Sequence, residues 1–110
     1  MSALLKHPLV DCDLEEAALW YCRHDPRIAE RLIEDCRVAM LAAAANPFQF
    51  SIHFANVRRV RLRGFPHSIY FFVEADAVMI LAIVHGRSGR GACHRRQTKP
   101  GTKKRLRMHL

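Results

Sequence analysis

The sequence predicts an α+β domain in which an antiparallel two-helix hairpin packs on a small antiparallel β-sheet, in the order β-α-α-β-β-β. Two segments with helical apolar spacing come first, at residues 13–24 and 26–45. Three segments rich in β-forming residues follow, at 57–63, 67–74 and 77–84, and their connections are too short for parallel crossovers. Helices and strands that are grouped rather than alternating are typical of α+β folds. At 110 residues the chain can build one modest core.

The N-terminal segment predicts a strand followed by a capped helix. Residues 5–10 have the character of a short strand, and Pro8 places that strand at a sheet edge or delays its start. Asp13 is the expected N-cap of the first helix, with Glu16 as the reciprocal half of a capping box. We expect this helix to end near His24.

The second helix has a start and a stop signal of its own. Asp25 is the expected N-cap and Pro26 occupies the first helical position, where its missing N–H costs nothing. Asn46-Pro47 ends the helix, and a loop over residues 48–55 leads to the strands. The short joint between the two helices predicts a hairpin.

The three strands are followed by a change of composition. The last strand is apolar on both faces, so we expect it to lie inside the sheet. From Gly86 onward Gly, Ser, Arg, Lys and Pro replace the apolar pattern. We therefore predict a folded domain over residues 1–87 and a basic, poorly ordered tail over 88–110.

Charge is distributed unevenly along the chain. Residues 1–84 hold nine Lys/Arg and all ten acidic residues, whereas residues 85–110 hold the other nine Lys/Arg and no acid. Such a tail binds polyanions loosely. The longest apolar run, 77–84, is far too short to span a membrane, and residues 1–6 lack a signal-peptide core. We expect a soluble cytoplasmic protein without membrane contact.

Standard metal, thiol and cofactor motifs are missing. The four cysteines form no C-x-x-C pair, and no histidine stands at zinc-finger spacing from them. The sequence also has no Gly-rich phosphate loop, no G-x-S-x-G and no H-E-x-x-H. We predict buried or idle thiols, no metal and no cofactor.

A row of arginines on the first strand of the meander is the main candidate site. Residues two apart on a strand share a face, so Arg59, Arg61 and Arg63 project to one side, with Val60 and Leu62 on the other. A row of guanidinium groups fits a carboxylate-rich protein or a phosphate backbone. The alternative is a solvated edge strand whose charges prevent aggregation.

Two histidines and a further arginine extend this candidate site. His85 and Arg87 follow the last strand, where a histidine could move a proton and an arginine could hold a phosphate. The alternative is an ordinary turn with a solvated arginine. His67 and Tyr70 lie an odd number of residues apart, so a regular strand places them on opposite faces.

The ordered set of segments resembles the RelE/ParE toxin family of type II toxin–antitoxin modules, also called plasmid stabilisation proteins. The matching residues, within about 5–90, are His7-Pro8-Leu9-Val10, Asp13-Leu14-Glu15-Glu16-Ala17, Trp20-Tyr21, Pro26-Arg27-Ile28-Ala29, Asn46-Pro47, Val57-Arg58-Arg59-Val60-Arg61-Leu62-Arg63, Phe65-Pro66-His67, Ile69-Tyr70-Phe71 and Ile83-Val84-His85-Gly86-Arg87. The resemblance implies a growth-inhibiting toxin in a hetero-oligomer with a cognate antitoxin. The acidic, amphipathic C-terminal segment of that antitoxin would wrap the toxin, often over the arginine-bearing sheet.

The resemblance favours the ParE-like branch, whose members poison DNA gyrase and are not known to be enzymes. Phe65-Pro66-His67 is similar to the ParE-side turn, and His67 stands where RelE-like members often carry an arginine. No tyrosine follows Tyr70. The partner-binding residues implied are Arg59, Arg61 and Arg63, with His85 and Arg87 at the rim.

Two other interpretations of the family resemblance remain open. A RelE-like, ribosome-dependent endoribonuclease would cut mRNA, with Arg61 and Arg87 on the scissile phosphate and His85 or His67 in proton transfer. A non-toxic, antitoxin-binding relic is the third, since the sequence after Arg87 contains no Asp, Glu, Phe, Trp or Tyr and departs from the family pattern.

Overall fold

The structure, a computed structural model, describes residues 2–86 and 89–98. The elements in chain order are β1 Ala3–Lys6, α1 Val10–Cys22, α2 Pro26–Ala45, a 3-10 turn Pro47–Gln49, β2 Ile52–Phe54, β3 Val57–Arg61, β4 His67–Glu74, β5 Ala77–His85 and α3 Gly89–Thr98. The predicted α+β class, with a helical hairpin on a small sheet, is confirmed.

The five strands form one mixed sheet in the order β1-β5-β4-β3-β2. Strands β3 to β5 form the predicted antiparallel meander, and β5 lies inside the sheet as expected. Strand β2 extends this meander antiparallel to β3, within a segment that was predicted to be a loop. The sheet is not wholly antiparallel, because β1 pairs with β5 in parallel, from Ala3 opposite Ala77 to Lys6 opposite Ile80. The hairpin and the meander between these two strands provide the long connection that a parallel pair needs.

Helix α2 begins and ends where the sequence predicts. The side chain of Asp25 accepts a hydrogen bond from the backbone N–H of Arg27 at 3.0 Å, and Pro26 is the first helical residue. Asn46 is the C-cap, and Pro47 starts the 3-10 turn. These signals act over a few residues, so the sequence suffices to locate them.

Helix α1 begins differently from the prediction. It starts at Val10, after a β1 that spans residues 3–6 rather than 5–10. Its end at Cys22, with Arg23 as C-cap, agrees with the predicted end near His24. The predicted capping box is wrong, because Asp13 lies inside the helix and no side chain caps it. Instead His7 closes the start: its Nδ1 accepts from the N–H of Leu9 at 3.1 Å and its carbonyl from the N–H of Val10 at 3.0 Å.

The two faces of the sheet are packed differently. The hairpin covers one face, and the buried side chains there are Val10, Leu32, Cys36, Ala39, Met40, Ala43, Val60, Leu62, Phe65, Ile69, Phe71, Val78, Ile80 and Ile83. The other face, called here the open face, carries the smaller cluster Val57, Tyr70, Met79, Leu81, Ala82 and Cys93. Each fully buried aliphatic or aromatic side chain contributes about 1.5–3 kcal/mol, so the hairpin face provides most of the hydrophobic stabilisation.

A bulge between β4 and β5 shapes the open face. Tyr70 pairs with Ala82 and the next residue, Phe71, pairs with Ile80, so Leu81 is an extra residue on β5. Leu81 and Ala82 consequently both belong to the open-face cluster. Bulges of this kind increase local twist and redirect side chains.

Helix α3 covers part of the open face. It packs against β5 and β4 with Cys93 buried, whereas the sequence predicted poor order from residue 88. The structure thus places a helix in the first part of the expected tail, and residues 99–110 lie outside the described part of the chain. The first residue of α3, Gly89, lies so close to the ring of Tyr70 that a Cβ there would come within 2.0 Å of it.

An ion pair between α1 and α3 closes the edge of the sheet. The Arg96 guanidinium donates to both carboxylate oxygens of Asp13, at 2.7 and 2.9 Å, and to the carbonyl of Leu81 at 2.8 Å. Asp13 also accepts the N–H of Ile83 at 3.0 Å. Because β1 pairs with β5 only as far as Ile80, these two side chains satisfy backbone groups that would otherwise lack a strand partner.

Candidate functional site

A cavity of about 390 Å³ lies at the end of the sheet where β3 leaves and β4 begins. Its lining comes from β2, β3, the turn after β3, the start of β4 and the turn after β5, and consists of His53, Arg59, Arg61, Phe65, Pro66, His67, Ser68 and Gly86. Four of these side chains are basic and none is acidic. The cavity is therefore a concave, cationic part of the surface.

Arg59 and Arg61 provide the positive charge of the cavity. They project from the same face of β3, where Arg59 is opposite Tyr70 and Arg61 is opposite Ser68 on β4. Neither forms an ion pair with an acidic side chain within residues 2–86 and 89–98. Their guanidinium groups are thus available for an external anion.

The structure separates Arg63 from this pair. Strand β3 ends at Arg61, and the turn is closed by the N–H of Leu62, which donates to the carbonyl of His67 at 3.0 Å. Arg63 is exposed in that turn and does not line the cavity. The predicted three-residue row is therefore a pair. Arg87 lies outside the described residues.

His67 and His85 meet at the end of the sheet. They are directly opposite across β4 and β5, with ring centroids 5.1 Å apart and ring planes at 89°. His67 is buried against Tyr21, its Nδ1 has no hydrogen-bond partner among the described residues, and burial, followed by the nearby His85, lowers its pKa. His67 is therefore neutral at physiological pH, while His85 is exposed at the rim.

Two basic residues of this surface were not predicted. His53 lines the cavity from β2, 5.6 Å from the ring of Tyr70, and its pKa is lowered by burial and by the charges of Arg59 and Arg90. Arg90, on α3, places its guanidinium 5.1 Å from the ring centroid of Phe54. His53 was missed because residues 48–55 were expected to be a loop, although Ile52-His53-Phe54 alternates like a strand.

The rest of the described surface shows no competing chemistry. Within residues 2–86 and 89–98, no three His, Cys, Asp or Glu side chains cluster as metal ligands. Burial raises the pKa of the Cys36 and Cys93 thiols to about 12, so neither is a nucleophile at neutral pH. Cys12 and Cys22 are exposed and unpaired. Among the described helices, none is both long and apolar enough to traverse a bilayer.

Comparisons with known proteins agree with this architecture. A solved structure described as "Chromosomal ParDE TA system from P. aeruginosa" superimposes with a TM-score of 0.70 at 21% sequence identity, covering 79% of this chain and 98% of the other. At that identity the match shows the fold. The comparison with curated proteins found no match. The family model for the ParE toxin of the parDE type II toxin–antitoxin system matches residues 4–89, and the chain therefore belongs to the ParE toxin family.

Proposed function

We propose that this ParE-type protein inhibits growth by binding and poisoning DNA gyrase, and that a cognate antitoxin neutralises it. In this proposal the protein acts by binding and does not catalyse a reaction. Family membership supports the toxin assignment, and the described likeness to a ParDE assembly supports an antitoxin partner. The gyrase target and the neutralisation are the parts that require experiment.

The pair Arg59 and Arg61 is the observation that carries this proposal. Both guanidinium groups lie on one face, lack an internal carboxylate partner among the described residues, and border a concave surface. An acidic, amphipathic antitoxin segment would supply carboxylates to these forks, each able to make paired charge-assisted hydrogen bonds. His85 would contact the partner from the rim, and Arg63 and Arg87 would add long-range attraction.

Charge reversal tests the antitoxin part of the proposal. The partner to be sought is a neighbouring open reading frame with a DNA-binding N-terminus and an amphipathic C-terminal helix, and its product would be co-expressed with the tagged toxin. Arg61→Glu should weaken co-purification at least about 100-fold, since a like-charge contact replaces an attractive one. Arg23→Glu, on the helical hairpin, is the matched control and should retain binding. Wild-type binding by an Arg59→Glu/Arg61→Glu protein would overturn the surface assignment.

The cellular target is tested by induction and by purified components. Gyrase poisoning predicts filamentous cells with a DNA damage response, and inhibition of supercoiling by purified gyrase. Rapid arrest of translation with mRNA cleavage in the ribosomal A site would instead establish an endoribonuclease that uses Arg61, Arg87 and His85 or His67. Normal growth would establish a non-toxic relic. Either of these last two results contradicts the proposed function.

A further inference from the structure

We propose that the cavity between β2, β3 and β4 is a phosphate site that takes a ligand of nucleotide size, with Arg59 and Arg61 on the phosphate oxygens. This site goes beyond the proposed function, because neither an antitoxin nor a gyrase contact requires a ligand inside the cavity. A free nucleotide and a terminal nucleotide of a nucleic acid strand share this chemistry.

The volume of the cavity supports a ligand larger than a single carboxylate. Small-molecule sites in proteins occupy roughly 300–1,000 Å³. The cavity, at about 390 Å³, falls at the lower end of that range. A single carboxylate group is much smaller than this volume and would leave most of it unfilled.

The charge of the lining suits an anionic group such as a phosphate within that volume. Arg59 and Arg61 stand two residues apart on one strand, so their side chains are roughly 7 Å apart at the base and can converge on one anion. Arg90, close enough to lower the pKa of His53, adds a third positive charge on the open face. Phosphate oxygens match guanidinium forks bidentately.

Neutral polar groups and an apolar wall complete the site. His53, His67 and Ser68 line the cavity, and both histidines have lowered pKa values, so at neutral pH they offer hydrogen bonds without additional charge. Phe65 and Pro66 add apolar surface to the lining. A lining with both charged and apolar groups suits a phosphate joined to a planar base.

Calorimetric titration of the full chain with adenosine monophosphate and with adenosine tests the site. We expect adenosine monophosphate to bind at least tenfold more tightly than adenosine, with an affinity that falls as salt rises. Arg59→Gln and Arg61→Gln should each weaken binding at least tenfold. Arg63→Gln, which removes an equal charge outside the cavity, should change it less than twofold. Thermal unfolding of each variant shows whether it remains folded.

A short single-stranded oligonucleotide distinguishes the two sources of the phosphate. Tighter binding than the mononucleotide, lost in Arg59→Gln/Arg61→Gln, assigns the site to nucleic acid, whereas weaker binding assigns it to a free nucleotide. Three results would overturn the inference: no mononucleotide binding, equal affinity for adenosine, or equal loss in Arg63→Gln. Oligonucleotide binding that survives the double substitution would place the interaction on the basic residues of 85–110 and would also overturn it.

Discussion

The two faces of the sheet differ in what they contribute. The face under the hairpin is apolar, with Leu32, Ile69 and Phe71 fully buried. The open face is covered in part by α3 and also carries the arginines of the cationic cavity, Arg59 and Arg61, which have no internal carboxylate partner among the described residues. The first face stabilises the fold, and the second leaves charge available for a partner.

Arg96 and Arg61 differ in the same way. Arg96 is 14% exposed in its side chain and donates to Asp13 and to the carbonyl of Leu81, so its charge is satisfied inside the protein. Arg61 is exposed on the same chain and forms no ion pair with a described acidic residue. Residue type alone does not show whether the charge of an arginine is satisfied inside the protein; the presence of an internal carboxylate does.

The largest expected effect on stability comes from removing the Asp13–Arg96 ion pair, which joins α1 on the hairpin face to α3 on the open face. Asp13→Ala leaves the Arg96 charge unpaired at a mostly buried position and removes the acceptor for the N–H of Ile83. We expect a loss of about 3 kcal/mol in the free energy of unfolding, measured by chemical denaturation.

Asp11→Ala is the matched control for this substitution. Its carboxylate pairs with Lys6 at 3.0 Å but is 65% exposed, and exposed pairs contribute at most about 1 kcal/mol. If Asp13→Ala and Asp11→Ala lose equal free energy of unfolding, the Asp13–Arg96 pair has no special role in holding α3.

Substitutions at two glycines in the first turn of α3 test whether this helix packs on Tyr70. Gly89→Ala places a methyl group within 2.0 Å of the Tyr70 ring, so we expect the free energy of unfolding to fall by about 2 kcal/mol. Gly91→Ala meets only the flexible end of Arg95, at 3.3 Å, and should gain up to about 1 kcal/mol from helix propensity. A stabilising Gly89→Ala would mean that α3 does not pack against Tyr70 as described.

The pH dependence of stability tests the burial of His67. Its folded-state pKa lies below the unfolded value, so below the unfolded pKa of about 6.5 the unfolded chain binds the extra proton. Stability should therefore fall as pH drops through this value and recover above it. In His67→Phe the free energy of unfolding, measured by chemical denaturation between pH 5 and 8, should decline less as pH falls. An unchanged decline would show that other groups cause the pH dependence.

The smallest expected effect concerns the turn between β4 and β5, far from the cavity in sequence. Ala75 has a φ of 55°, in the left-handed region that favours glycine. Ala75→Gly should raise the free energy of unfolding by about 1 kcal/mol and leave antitoxin binding unchanged. A change in binding would show that stability and recognition are not divided between regions in this way.

The sequence predicted the structural features that depend on neighbouring residues, such as helix caps, and missed those that depend on contacts between distant residues. Asp25, Pro26 and Asn46 act within a turn of α2, and all three were assigned correctly. Asp13 was mistaken for a cap because its partner, Arg96, lies 83 residues away. Helix α3 is strongly basic and contains two glycines, so its order depends on that ion pair and on packing rather than on local propensity.

The same limit applies to the candidate site. Alternation correctly placed Arg59 and Arg61 on one face, but it could not locate the end of β3, which moves Arg63 out of the cavity. The meeting of His67 with His85 depends on the register between β4 and β5, and the position of His53 depends on a three-residue strand. Neither register nor such a short strand is specified by local sequence.

The most direct measurement of the central claim, that the arginine pair on the open face serves recognition and not stability, is a paired measurement on Arg61→Glu. Thermal unfolding and co-purification with the antitoxin would be recorded for the same variant. We expect an unfolding midpoint within about 2 °C of wild type and a loss of antitoxin binding, since exposed unpaired charges contribute little to stability. A large drop in the midpoint, or undiminished antitoxin binding by a folded protein, would contradict this claim.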